Sequence, residues 1–386
     1  MKRKPLELYI HIPFCARKCA YCDFLSGPAG DRVQEVYVKQ LIEEIQVQSA
    51  YYQEYEVITI FLGGGTPSIL KEELVMWIME QLHQHFWIAV EAEVTIEVNP
   101  GTVTMDKLHA YRTSGINRVS IGLQSADDGE LRELGRIHTF DEFLKTYQRV
   151  RQAGFANVNV DLMSALPGQT RSSWKNTLRK VLMMKPEHIS AYSLIVEEGT
   201  PFYEKYHGHP EWLPTEEEER EMYYETSRYL KEYGYERYEI SNYARPGWEC
   251  RHNIGYWTGV EYLGLGLGAA SYIQQFRFRN LTDLEEYNDM DMHGEDADQK
   301  LHREVQRLSL EEQMEEFMFL GLRMNSGVSG SEFLKRFGLN MWNVYGEVLK
   351  RLEQEGLIEV KLPCVRLTEL GIDVSNYVLS EFLLQR

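Results

Sequence analysis

Two hydrophobic periods alternate along the first two hundred residues. Short, apolar, β-branched runs read as strands: LELYIHI (6–12), VITIFL (57–62), VTIEV (94–98), RVSIGLQ (118–124), VNVDLM (158–163) and HISAYSLI (188–195). Between them apolar positions recur at helical spacing, as at Val33, Val36, Tyr37, Leu41 and Ile45, again over 74–86, and from Met105 to before Gly115. Strand–helix units at this pace predict an α/β fold with a parallel sheet and crossover helices, either an open sheet or most of a barrel. In such folds functional groups collect at the C-terminal ends of strands. The residues that interrupt the apolar pattern fall there. A cysteine-bearing loop follows the first strand and Gly-Gly-Gly-Thr-Pro (63–67) the second; Glu97 and Gln124 end the third and fourth, and Asp161 lies near the end of the fifth.

From Pro214 the pattern changes. TEEEEREMYYETSRYLKEYGY (215–235) predicts an acidic, tyrosine-rich helix with Thr215 and Glu218 spaced as a capping box. Residues 281–298 carry eight acids and no base and read as a solvated connection. From about Glu311 three helical stretches precede CVRLTELGI, predicted as a hairpin, an order that resembles a winged helix. The expected units are residues 1–210, 211–305 and 306–386.

Composition narrows the classes. The chain has 386 residues, 43% hydrophobic and 26% charged, which suits a folded multi-domain protein. Its net charge of −18 disfavours nucleic acid as a partner. The longest uncharged stretch, Tyr262 to Phe276, is 15 residues and holds three glycines, against the ~20 a spanning helix needs. MKRKPLELYIHIPF is basic but lacks the apolar run of an export signal. A cytoplasmic location is therefore expected, where cysteines serve more often as metal ligands or catalytic groups than in disulfides.

Three of the five cysteines, Cys15, Cys19 and Cys22, fall in HIPFCARKCAYCDF with the spacing C-x3-C-x2-C. Soft thiolates this close can converge on one metal centre. Spacing alone leaves two centres open: a zinc site completed by His11 or another residue, or a [4Fe–4S] cluster with one iron left without a protein ligand.

C-x3-C-x2-C with an aromatic residue before the third cysteine resembles the signature of the radical S-adenosylmethionine (radical SAM) superfamily. There, the open iron is chelated by S-adenosylmethionine. The surrounding segments YIHIPFCARKCAYCDF, FLGGGTPS, IEVNPGT, RVSIGLQS, LGRIHT and VDLMSALPGQT, within residues 9–170, more narrowly resemble the oxygen-independent coproporphyrinogen III oxidases and their relatives. The resemblance implies a partial (β/α)6 barrel with a smaller helical, winged-helix-like C-terminal domain. It also implies a [4Fe–4S] cluster on Cys15, Cys19 and Cys22. Around S-adenosylmethionine it implies Tyr9, Tyr21, Gly64, Gly65, Thr66, Glu97, Gln124, Arg136, Asp161 and Ile195. The chemistry of these side chains suits such a ligand. Carboxylates accept from a ribose or an ammonium, Gln124 donates and accepts, and Arg136 can pair with a carboxylate.

Two departures from the oxidases matter. Their pattern continues with a fourth cysteine two residues after the third, where this chain has Phe24, and they carry a longer N-terminal extension. Both point instead to the heme-chaperone subgroup, marked by H-N-x-x-Y-W, present here as His252-Asn253-Ile254-Gly255-Tyr256-Trp257. Imidazole is a good heme ligand, Tyr256 and Trp257 offer flat apolar faces, and Cys250 is a rival ligand. The implied activity is binding of heme and its transfer to an acceptor protein, with no catalytic residue assigned; the aromatic middle segment is suited to a homodimer. The enzyme alternative is oxidative decarboxylation of coproporphyrinogen propionates, and a third is radical chemistry on another substrate. LGLGLG (263–268) reads as close backbone packing rather than a dinucleotide fingerprint.

Overall fold

The computed structural model describes residues 3–384. Residues 1–2 and 385–386, the outer edges of the first and last expected units, lie outside it. Each of the six apolar runs forms a strand: β1 (Lys4–Ile12), β2 (Tyr55–Gly64), β3 (Ile88–Val98), β4 (Arg118–Gln124), β5 (Asn157–Ser164) and β6 (His188–Ser193). All six run parallel in sequence order. Five helices supply crossovers: α1 (Asp31–Ser49), α2 (Glu72–His85), α3 (Met105–Thr113), α4 (Phe140–Gln152) and α5 (Arg171–Met184). Leu6, Leu8, Ile10, Val119, Ile121, Val158 and Val160 are fully buried, as strands covered on both faces require. The sixth strand stops at Ser193 because its partner β5 ends at Ser164, so Ile195 falls in the loop beyond.

The expected acidic helix is α6 (Glu216–Glu232). Its capping box forms: Glu218 N–H donates to Thr215 Oγ1 at 3.3 Å and Thr215 N–H to Glu218 Oε2 at 2.9 Å. Two short strands, β7 (Glu236–Arg237) and β8 (Asn242–Ala244), continue the sheet beyond β6, with β8 antiparallel to it. After α7 (Arg251–Thr258) the chain returns to the opposite edge. β9 (Tyr262–Leu265) pairs parallel with β1, and β10 (Ala270–Ile273), β11 (Phe276–Asn280) and β12 (His302–Arg307) extend the sheet antiparallel. The result is twelve strands ordered β12-β11-β10-β9-β1-β2-β3-β4-β5-β6-β8-β7. LGLGLG supplies close packing: a Cβ on Gly264 would lie 2.3 Å from Ala270 O.

One expectation is corrected. Residues 281–298 are not merely a solvated connection. Tyr287 and Met292 are buried in the core, and Tyr287 O–H donates to the buried Glu44 carboxylate, which also receives Asn280 Nδ2 and Gly266 N–H. The acids face water while the interleaved apolar residues anchor the segment.

The C-terminal part has its own core around Met318, Phe333, Tyr345, Leu352 and Val365. Its order is α8 (Leu310–Gly321), β13 (Val328–Ser329), α9 (Gly330–Phe337), α10 (Met341–Gln354), β14 (Ile358–Lys361) and β15 (Cys364–Leu367), with a three-stranded sheet β13-β15-β14, the order of a winged helix. The hairpin joins β14 to β15 rather than lying within CVRLTELGI. Thr368 instead caps a short helix, Glu369–Asp373, by accepting from Gly371 N–H.

Candidate functional site

The loop after β1 is closed before any ligand is considered. Cys15 N–H donates to Gly27 O and Gly27 N–H to Pro13 O, both at 3.0 Å, and Lys18 Nζ crosses the loop to Phe24 O at 2.9 Å. This brings Cys15, Cys19 and Cys22 to one cavity of about 380 Å³ at the C-terminal ends of the strands. The same cavity is lined by Tyr21, Gly64, Gly65, Thr66, Glu97, Gln124, Arg136, Asp161 and Ile195. Of the residues expected here only Tyr9 is absent from the lining. It lies behind, its hydroxyl 3.1 Å from His11 Nδ1 and its ring stacked on Phe61.

The glycines have a reason the sequence did not show. A Cβ on Gly64 (φ 105°) would meet the His11 ring at 2.4 Å, and one on Gly65 would lie 2.6 Å from Phe14 O and 2.9 Å from Ile12 O. Glycine is required by the packing of the strand end itself, besides leaving room for a ligand. Gln124 sits at φ 70°, an uncommon conformation for a residue with a side chain, beside a register shift at the end of β4. Its buried Oε1 has no hydrogen-bond partner among the described residues.

Charge in the cavity is uneven. Glu97 is half-buried and accepts from Gly64 N–H at 3.1 Å; loss of solvent around it, then the neighbouring Asp161, pushes its carboxyl up to about 8. Asp161 accepts from Asn159 Nδ2 at 2.7 Å and Ser120 O–H at 3.0 Å. Two carboxylates facing one cavity favour a cationic ligand. Arg136 does not wait for a ligand carboxylate, as the sequence suggested. Its guanidinium donates to Gly122 O at 2.5 Å, Asn99 Oδ1 at 2.7 Å and Cys19 Sγ at 3.5 Å. Asn99 in turn donates to Thr66 Oγ1 (2.8 Å), whose hydroxyl donates to Cys15 Sγ (3.5 Å). Asn99 thus ties two cysteine partners together, and only its place at the end of the third strand could have marked it in the sequence.

These residues fit a thiolate-held cluster with a zwitterionic, cationic ligand. All three cysteines are free. Two sulfurs receive hydrogen-bond donors, and the same cavity presents carboxylates and an orphaned amide oxygen. Single-zinc coordination gathers four ligands around one point, whereas a four-iron cluster takes one thiolate at each of separate irons. Among the described residues no three His, Cys, Asp or Glu side chains group as they would around a single ion. His11 is committed elsewhere, its Nε2 3.0 Å from Leu25 O and its Nδ1 on Tyr9.

The H-N-x-x-Y-W segment forms α7 on another side of the barrel. The buried Glu93 carboxylate of β3 accepts from His252 N–H at 3.1 Å and Arg251 N–H at 3.2 Å, capping the helix from within the sheet. His252 is buried, with Nδ1 2.7 Å from Thr59 Oγ1, Nε2 3.0 Å from Tyr256 Oη, and its ring stacked on Phe61. Burial, then Arg118, lowers its imidazole to about 3. Both ring nitrogens are engaged, so His252 stands as a neutral seat for the helix rather than an open iron ligand. Cys250 is buried too, against Glu93, and burial raises its thiol to about 12. Tyr256 and Trp257 do face a cavity, of about 300 Å³, between α7 and the C-terminal part; His252 and Asn253 do not line it.

Barrel, cysteine loop and glycine-rich strand end define a radical SAM scaffold, and the superfamily's sequence profile matches residues 9–181. The HemN C-terminal domain profile matches residues 308–374. Curated relatives include the heme chaperone HemW of Lactococcus lactis, 35% identical over 100% of this chain and 99% of that protein, and that of Bacillus subtilis, 36% identical over 97% and 98%. By this likeness the chain belongs to the heme chaperone HemW family. Among solved structures, coproporphyrinogen III oxidase from Escherichia coli superposes with a TM-score of 0.85 at 23% identity, covering 99% of this chain and 91% of that one, a likeness of fold. No helix among the described residues is long and apolar enough to cross a membrane.

Proposed function

We propose that this chain binds heme and passes it to an acceptor protein, using a radical SAM scaffold as its frame. The supporting observation is the whole-length membership in the HemW family of a chain that has Phe24, 61% exposed, two residues beyond its third cluster cysteine. On this reading Cys15, Cys19 and Cys22 hold a [4Fe–4S] cluster. Gly64, Gly65, Thr66, Glu97, Gln124 and Asp161 receive S-adenosylmethionine, with Tyr21 and Ile195 at its sides. When bound, cluster and S-adenosylmethionine together supply one-electron chemistry.

This chain's own residues do the rest. Arg136 and Thr66 donate to Cys19 and Cys15 and fix where their sulfurs sit. Asp161, and Glu97 once it gives up its proton, face an ammonium, and Gln124 Oε1 accepts a hydrogen bond from a hydroxyl or ammonium. Tyr256 and Trp257 offer the aromatic surface for heme. We read residues 1–210 as the cofactor-holding barrel, 211–305 as the extension carrying the heme motif and 306–386 as the C-terminal domain. The protein works in the cytoplasm.

The test is an anaerobic hemin titration of cluster-reconstituted protein, followed by visible absorbance. Saturation near one heme per chain is expected; no saturable binding would overturn the reading. The same preparation, given coproporphyrinogen III, S-adenosylmethionine and reductant, is expected to form no protoporphyrinogen.

A further inference from the structure

The cavity between α7 and the C-terminal part brings together residues from both. Its wall combines flat aromatic faces (Tyr256, Trp257, Tyr272, Phe317) with the soft thioether of Met324. Arg323 lies over Trp257, 4.3 Å from the ring. The charges on the wall are mostly paired. Arg277 pairs with Glu316 at 2.9 Å, and Glu332 with Lys335 at 3.5 Å. Arg336 is different. It is exposed at the rim, its hydrogen-bond partner is the Tyr272 hydroxyl at 3.4 Å, and among the described residues it forms no ion pair. Gly259 leaves room for it, since a Cβ at that position would lie 2.6 Å from Arg336 Nη1. Two buried donors of the lining residues, Trp257 Nε1 and Arg277 Nε, also lack acceptors. The wall is aromatic, with one guanidinium outside any direct ion pair, its charge felt by Glu316 from a distance, and with two unpaired donors, which complements a flat ring carrying a carboxylate.

Size sets the depth of entry. At about 300 Å³ the cavity lies at the small end of ligand sites and holds an edge of a tetrapyrrole, not the whole ring. No imidazole lines it, and both His252 nitrogens are already engaged. We propose that this interdomain cavity grips the carboxylate-bearing edge of a tetrapyrrole, with Arg336 pairing with the carboxylate and Tyr256 and Trp257 against the ring, so that recognition does not require iron. The proposal rests on the heme reading above and adds the site and the group that is read.

Full-length, cluster-reconstituted protein is titrated anaerobically with three probes: hemin, metal-free protoporphyrin IX and protoporphyrin IX dimethyl ester, in which the carboxylates are masked. Hemin and protoporphyrin IX are expected to saturate, with the diester weaker by about tenfold, the worth of one charge-assisted pair. Arg336→Gln should weaken both acids by about tenfold and leave the diester unchanged. Arg336→Lys should recover part of that loss, and Lys231→Gln, which removes an exposed cation elsewhere, should change nothing. Hemin binding with diacid and diester equal, or with Arg336→Gln indistinguishable from wild type, overturns the proposal while the heme reading stands. So does hemin binding without protoporphyrin IX binding. Failure of hemin itself to bind overturns both.

Discussion

Glu7 sits in the barrel floor with neither carboxyl oxygen hydrogen-bonded among the described residues, packed against Gly255 of the motif helix. Burial dominates its chemistry and, with a smaller push from Glu93, raises its carboxyl to about 9; Thr59 and Arg251 pull less strongly the other way. The folded protein therefore holds Glu7 protonated at neutral pH, while the unfolded chain releases that proton near its ordinary 4.5. A carboxyl raised by folding costs stability as pH climbs from the unfolded value to the folded one. At about 1.36 kcal/mol per pH unit, keeping Glu7 neutral in the fold costs about 3 kcal/mol at pH 7. Glu7→Gln keeps the shape and removes the proton. Urea unfolding of both proteins across pH 5 to 9 should show the variant nearly matched at pH 5 and progressively more stable, by about 3 kcal/mol at pH 7. A gap that does not change with pH would mean that Glu7 is ionised in the fold, held by Arg251 and Thr59, and would refute the burial argument.

Three further outcomes follow from the same geometry. Gly255→Ala places a Cβ 1.9 Å from Glu7 Oε1 and should cost about 1–3 kcal/mol; combined with Glu7→Ala the loss should be clearly less than additive in a double-mutant cycle. Gly65→Ala drives a Cβ into two backbone carbonyls, so S-adenosylmethionine affinity, read by calorimetry, should fall by at least about tenfold. Glu97, raised to about 8, is largely protonated at pH 7 and must ionise to face an ammonium. Binding of S-adenosylmethionine at pH 7 should release about one proton, detected as a buffer-dependent enthalpy, and Glu97→Gln should release none.

What the sequence made legible, and what it left out, divides along a physical line. The six strands and the strand-end site were readable because burial on both faces writes a continuous apolar run, and any polar residue ending such a run needs a reason. Glu97, Gln124 and Asp161 were found that way, and the cavity they share with the cysteines follows from the parallel topology alone. Side-chain partnerships across strands leave no such trace. Nothing local to Arg136 says that its guanidinium will be taken up by Asn99, Gly122 and Cys19, and nothing in His252 says that Thr59 and Tyr256 will take both its nitrogens. The acidic run at 281–298 misled for a related reason. Composition weighs eight charges equally, but Tyr287 is placed by a single buried carboxylate, Glu44, more than two hundred residues away. The motif helix shows the limit most sharply. As a string, H-N-x-x-Y-W puts its histidine forward as the ligand. The fold turns that histidine inward as a seat and leaves the two aromatic residues facing the cavity, so the chemistry of the motif lies in the face that the helix keeps outside.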